Sequence, residues 1–188
     1  MAQRAPAATN LTIEEFLLLE TPEGKAELVR GELRLTPPPG GRHGIIWANL
    51  TALLHQYVSK TGVGHVFAES SFELVDLPRT VRAPDVAFVR MERLPAGWMD
   101  EARLEVAPDL AAEILSPSET ATRLDEKLDD YAAARIPLVW VIDPKRRTVM
   151  VIAADAPVRW LRAGDTLDAG RIVPGFSCPV SELFAGLD

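Results

Sequence analysis

Two apolar runs flanking a charged one constrain this chain more than any other feature. Leu110–Leu115 and Ile136–Asp143 are nearly continuous in apolar residues, the pattern of strands covered on both faces. Pro117 stops the first run, and Ser118 is placed to cap a helix reaching about Ala134. Strand, helix and strand in this order predict a crossover, with a right-handed turn laying the helix across one sheet face.

Two charged residues disturb the pattern. At about 100° per residue, Leu124, Leu128 and Tyr131 form one apolar stripe, and Lys127 falls inside it. Asp125, Glu126, Asp129 and Asp130 fall around the other side and are expected in solvent. On the first strand, Ala111, Glu113 and Leu115 share a face, with Leu110, Ala112 and Ile114 on the other. A lysine and a glutamate in such places each need a partner or a route to water. Asp85 begins a further apolar strand, Arg82–Arg90, with Pro84 near its start. Carboxylates at two adjacent strand ends, with an amine arriving from a helix, can form a hard-cation site for Mg²⁺ or Mn²⁺. Spacing leaves two readings open. One is a buried Lys127–Glu113 salt bridge with Asp85 capping a turn. The other is a metal-dependent hydrolase of a phosphate substrate.

The rest of the chain supplies the frame. Residues 1–10 read as a disordered arm. Thr12 and Glu15 form a capping box for a short helix carrying Phe16, which Pro22 and Gly24 end. Glu27–Leu35 alternates as a strand pair or bent strand around Gly31. The loop at 37–44, PPPGGRHG, lacks the G-K-[ST] ending of a phosphate-binding loop. A helix follows over about Ile45–Ser59, with His43 at its entrance, where a histidine is more often a capping or loop residue than a catalyst. His65–Leu74 reads as a strand, 91–108 as irregular with a helical piece near Trp98, and Thr148–Ala153 as the hairpin partner of the apolar run before it. Short strands and a helical turn near Ser181–Phe184 close the chain. Asp143 before Pro144 reads as a turn former and Trp140 as core. The expected sheet is a single mixed one of five or six strands.

Composition excludes several classes. The single cysteine, Cys178, rules out an internal disulfide framework and a cysteine-based zinc cluster, and reads as a small apolar residue. No apolar run approaches the roughly 20 residues of a membrane span, and no hydrophobic leader opens the chain; both predict a cytoplasmic protein. A net charge of −7 counts against a protein that coats nucleic acid through basic surface, but not against an enzyme that meets phosphate through a metal. Only Lys25, Lys60, Lys127 and Lys145 are lysines.

Three segments carry a resemblance: AELVRGELRLTPPPGGRH, RAPDVAFV and LAAEILSPSETATRLDEKLDDYAAARIPLVWVIDP. Over roughly residues 12–155 they resemble a large bacterial family of restriction-endonuclease-like proteins in the PD-(D/E)XK nuclease superfamily. The resemblance implies an α/β fold, a mixed sheet flanked by helices, as one domain over residues 11–188. It makes Pro84-Asp85 the PD element and Glu113 the second acid. Leu115 stands where the lysine is usual, and the resemblance places that lysine on the following helix as Lys127, with Tyr131 matching the tyrosine there. Glu27 is implied as an extra acid near the site, and His43 matches a recurrent histidine. The implied activity is divalent-metal-dependent hydrolysis of phosphodiester bonds in DNA, with Mg²⁺ or Mn²⁺ on Asp85 and Glu113, Lys127 assisting the attacking water, and a homodimer as the working unit. A catalytically inactive module of the same fold and a hydrolase of another phosphate substrate are the alternatives.

Overall fold

The computed structural model describes residues 9–20, 24–117 and 119–187. Most of the expected arm, the Pro22 break and the Ser118 cap lie outside them. A mixed six-stranded sheet forms the centre, in the order β10-β9-β8-β7-β6-β3. Its strands are β3 (Gly64–Ala68), β6 (Val86–Arg90), β7 (Leu110–Ile114), β8 (Leu138–Asp143), β9 (Thr148–Ala153) and β10 (Arg159–Arg162). β7 and β8 run parallel; the other neighbours are antiparallel. The parallel pair is the expected crossover, joined by helix α3 (Ala121–Ala133). Thr120 caps α3 by accepting the Arg123 N–H at 3.3 Å.

Each strand's alternation feeds two cores. Leu110, Ala112, Ile114, Val86, Phe88 and Trp140 pack beneath helix α2 (Gly41–Thr61) through Ile46, Leu50, Leu54 and Val58. Ala111, Ala87, Val89, Val139 and Val141 pack on the other side with Tyr131 of α3 and its C-cap, Ala134. Glu113 therefore points toward α3, into an apolar layer, as period two requires.

Where one sheet was expected, two smaller ones accompany the main one. β1 (Lys25–Val29), β2 (Glu32–Thr36), β4 (Phe72–Glu73) and β5 (Val81–Arg82) form a sheet ordered β2-β1-β5-β4. β1 and β2 are joined by a two-residue turn at Arg30 (φ +50°) and Gly31 (φ +84°), the positive-φ pair that a tight hairpin demands. β11 (Thr166–Asp168) and β12 (Ser177–Pro179) pair beside helix α4 (Val180–Leu183). The expected strands Arg82–Arg90 and His65–Leu74 are each broken in two. Pro84 has no N–H to give a ladder, and Ala83 N–H turns to a side chain instead, at 3.0 Å from Glu27 Oε1. β5 therefore leaves for the small sheet and β6 for the large one. At the other break Glu69 has φ +50°. Helix α1 (Ile13–Leu17) carries the predicted capping box in full. Helix α2 starts at Gly41 rather than Ile45: Gly40 is its N-cap, a position glycine fills readily. His43 is thus in the first turn. Among the described residues no helix is long and apolar enough to cross a membrane.

Candidate active site

The break between β5 and β6 forms an elbow, and Asp85 sits in it rather than at the head of a long strand. Its carbonyl oxygen accepts the Trp47 indole N–H at 3.0 Å and the Glu69 N–H at 3.1 Å. Its carboxylate is held just as closely. Oδ2 accepts the Ile114 backbone N–H at 2.7 Å and lies 3.1 Å from His43 Nε2. Oδ1 lies 2.6 Å from Lys25 Nζ. Four elements thus fix one side chain: α2, β1, the elbow itself and the end of β7. His43, expected at the helix entrance as a loop or capping residue, is buried on Asp85 instead.

Glu113 stands one residue before the N–H that Asp85 accepts. Its Oε2 pairs with Lys127 Nζ at 2.9 Å, and its Oε1 accepts the Tyr131 hydroxyl at 2.5 Å. Lys127 and Tyr131 are four apart on α3, so both reach one strand residue from one helix face. Glu113 is 3% exposed and Lys127 6%. Tyr131 is both a core aromatic and a site residue.

Glu27 lies behind the elbow. One oxygen takes the Ala83 N–H, and the other pairs with Arg82 at 3.1 Å. Arg82 spreads its fork onto Asp130 at 2.6 and 3.0 Å, and Arg30 pairs with the same carboxylate at 2.6 Å. This corrects the expectation that Asp130 faces solvent: it is fully buried. The helical wheel gives its angle, but the buried guanidinium that makes burial affordable comes from another sheet. Glu27 thus holds the backbone that carries Asp85.

Four participants were not singled out from the sequence: Lys25, Arg82, Trp47 and Glu69. Lys25 had a usable signal, since it lies two residues before Glu27 on one strand and so shares its face. Arg82 lies three residues before Asp85 in a run that reads as unbroken strand. Trp47 and Glu69 act through backbone groups of the elbow and had no signal.

Burial and charge oppose one another throughout. Burial pushes the Asp85 carboxyl up, but the His43 hydrogen bond and the Lys25 charge outweigh it and hold the group well below its usual range. Burial also dominates at Glu113, where Lys127 and Lys25 do not fully offset it, and its carboxyl is pushed up. The Lys127 ammonium would lose its proton more easily on burial alone; Glu113 and Glu27 reverse that and raise it. Burial and the Glu113 charge push the Tyr131 hydroxyl up, which keeps it a donor.

Asp85, Glu113, Lys127, Lys25 and His43 line one narrow pocket of about 30 Å³, with Glu69, Ser116 and Glu119 at its sides. Among the described residues no group of three or more His, Cys, Asp and Glu side chains is arranged to hold a metal ion. Glu69 and Glu119 add carboxylates to the lining of the pocket, and its two buried carboxylates, Asp85 and Glu113, already accept from or pair with Lys25, His43, the Ile114 N–H, Lys127 and Tyr131. Mg²⁺ is commonly held by one or two carboxylates with water and substrate phosphate completing its shell, so this pair fits such an ion in number and in chemistry.

A family model described as "Putative restriction endonuclease" matches residues 13–181. The chain belongs to that family, Uma2. The match runs beyond the segments that suggested it and takes in the C-terminal β11–β12 hairpin. Among solved structures, a crystal structure titled as a putative nuclease belonging to DUF820, from Anabaena variabilis ATCC 29413, superposes with a TM-score of 0.79. It shares 23% sequence identity and covers 93% of this chain and 97% of its own. That likeness establishes a shared nuclease-like fold over nearly the whole length. No curated protein matches the chain.

Proposed function

We propose that this Uma2 protein is a divalent-metal-dependent endonuclease acting on DNA, with Asp85 and Glu113 as metal ligands and Lys127 as the catalytic base-side cation. The observation that carries the reading is convergence. An elbow, a strand end and a helix deliver two carboxylates and an amine to a single pocket, although folding alone does not require three buried charges there. Mg²⁺ or Mn²⁺, when bound, supplies Lewis-acid stabilisation of the charge that grows on the phosphate. The chain's own groups do the rest. Glu27 and Trp47 hold the elbow that aims Asp85. Tyr131 fixes the orientation of Glu113 through its Oε1. Lys127 Nζ, a donor only, orients the attacking water and balances developing negative charge.

The surroundings suit a phosphate-bearing polymer better than the net charge suggests. A cavity of about 780 Å³ adjoins the pocket through His43 and Ser116. It is lined by Arg42, Lys145 and the first turn of α2, with Asp143 as its one acidic side chain, and that turn carries no acidic side chain. Positive side chains beside a helix N-terminus favour an anionic backbone. We extend the proposal to a cytoplasmic homodimer, since two copies present two sites for the two strands; sedimentation velocity of the purified protein tests the assembly.

The experiment is incubation with supercoiled and linear DNA in Mg²⁺, in Mn²⁺ and in EDTA, beside Asp85→Ala and Lys127→Ala. Cleavage that needs the metal and is lost in both variants is the expected result. Cleavage that survives EDTA or either substitution overturns the mechanism. No cleavage of any nucleic acid in either metal would leave the alternative, an inactive module of the same fold.

A further inference from the structure

We infer that Lys25 is a resident counter-cation on Asp85 that a divalent ion must displace, so that it sets the metal concentration at which the site fills. The inference deepens the proposed function and rests on Asp85 being a metal ligand.

The two oxygens of Asp85 are not equivalent. Oδ2 is committed to the fold: the Ile114 backbone N–H lies 2.7 Å away and His43 Nε2 3.1 Å away. Releasing it would leave a backbone donor of the central sheet unpaired. Oδ1 has one partner, the ammonium of Lys25 at 2.6 Å. The oxygen that Asp85 can offer to an ion is therefore the one that Lys25 covers. An ammonium 2.6 Å from that oxygen and a divalent ion bound to it repel one another in a partly buried setting, so the ion gains affinity when Lys25 swings away.

Lys25 is also built to move. It reaches the site from β1 on four methylenes and keeps 16% of its side chain exposed, against 7% for Lys127. It borders two spaces at once, the narrow pocket of Asp85 and a larger cavity of about 560 Å³. Glu69, an exposed carboxylate, lines both of these spaces. A displaced ammonium has room in the larger cavity and a second acid to face there. Lys127 lines the narrow pocket but not the larger cavity. The two lysines then divide: Lys127 belongs to the chemistry, and Lys25 occupies Oδ1 until a stronger cation displaces it.

The test measures Mn²⁺ binding by electron paramagnetic resonance of the free ion, independent of any cleavage. Wild type is compared with Lys25→Met, which keeps the stem and removes the charge, with Lys25→Arg, which keeps the charge, and with Asp85→Asn. Lys25→Met is expected to bind Mn²⁺ at least tenfold more tightly than wild type, Lys25→Arg to stay within about threefold, and Asp85→Asn to lose binding. The Mn²⁺-induced rise in Tm should likewise be larger in Lys25→Met. If wild type binds through Asp85 and Lys25→Met is no tighter, the inference falls and the nuclease proposal stands. If neither wild type nor Lys25→Met binds Mn²⁺, the metal-ligand reading of Asp85 falls with it. Should Lys25→Met fail to fold, Lys25→Gln carries the same comparison.

Discussion

Replacing Lys127 by Met separates a catalytic ion pair from a merely structural one, provided that the double variant Glu113→Gln/Lys127→Met is made beside it. The single change leaves a Glu113 carboxylate that is 3% exposed with the Tyr131 hydroxyl as its remaining side-chain donor among the described residues. Breaking one side of a buried pair costs about 3–5 kcal/mol, and for a chain of this size each kcal/mol moves Tm by about 2–4 °C. Lys127→Met should therefore melt about 6–20 °C below wild type. The loss should grow with pH. Burial already raises the Glu113 carboxyl above its ordinary 4.5, and removing Lys127 raises it further. An acid whose folded pKa exceeds its unfolded value costs stability once the pH passes the unfolded value, so the deficit is smaller at pH 5 than at pH 8. The double variant removes both charges and should return to within about 1–2 kcal/mol of wild type, since neutral replacements of buried pairs are often tolerated. Urea denaturation followed by tryptophan fluorescence reads the stabilities, and nicking of supercoiled plasmid in Mg²⁺ reads the activity in parallel. A catalytic pair predicts a loss of about 10²–10³-fold or more in both variants. A double variant that is stable and cuts like wild type would refute the reasoning, because the pair would then be a structural bridge only.

Three further outcomes are expected. Asp85→Asn should start less stable than wild type and fall less on acidification: the lowered Asp85 pKa contributes stability that is present above the unfolded 3.8 and is lost progressively below it as pH falls toward the folded value, as melts from pH 7 to 2 would reveal. Trp47→Phe removes the indole donor from the Asp85 carbonyl and should lose about 1–3 kcal/mol in urea titration, with a lower cleavage rate because the elbow loosens. Gly64→Ala should be destabilised by about 1–3 kcal/mol or more, because its Cβ would lie 2.2 Å from the Val89 carbonyl oxygen and 2.7 Å from the Phe88 ring; the surviving folded fraction, measured by circular dichroism, should cut at the wild-type rate.

The crossover and its ion pair were legible in the sequence because both follow from local periods. Period two puts Glu113 on the α3 side of β7, and the helical period puts Lys127 and Tyr131 on the stripe that faces it. Asp85 joined them only as the acid at the head of a neighbouring apolar strand, and the family resemblance then made it the PD element. The elbow was not legible. Apolar residues continue on both sides of Pro84, so Arg82–Arg90 reads as one strand until Glu27 is known to take the Ala83 N–H. The pairing that brings β1 there is a single contact in register, Leu28 with Val81, and a contact of that kind leaves no repeat in the chain. Asp130 was hidden for the same reason: it is charged, reads as surface, and is buried only because Arg82 and Arg30 arrive from distant elements.

The buried charges fall into two sets that differ in the chemistry of their cations. Behind the elbow, Arg82 binds Asp130 through two nitrogens and Glu27 through a third. A guanidinium has a rigid planar fork, so several bonds of fixed direction lock three elements together. In the pocket itself the cations are lysines, and each meets its carboxylate at a single oxygen, Lys25 at Asp85 Oδ1 and Lys127 at Glu113 Oε2. An ammonium is a compact point charge on a flexible stem, and it gives up one position for another at little geometric cost. Arginine is placed where the fold must not yield, and under the proposed function lysine is placed where charge is rearranged as metal and phosphate enter. A chain with only four lysines commits two of them to this pocket, which a purely structural cluster, better served by arginine throughout, does not explain.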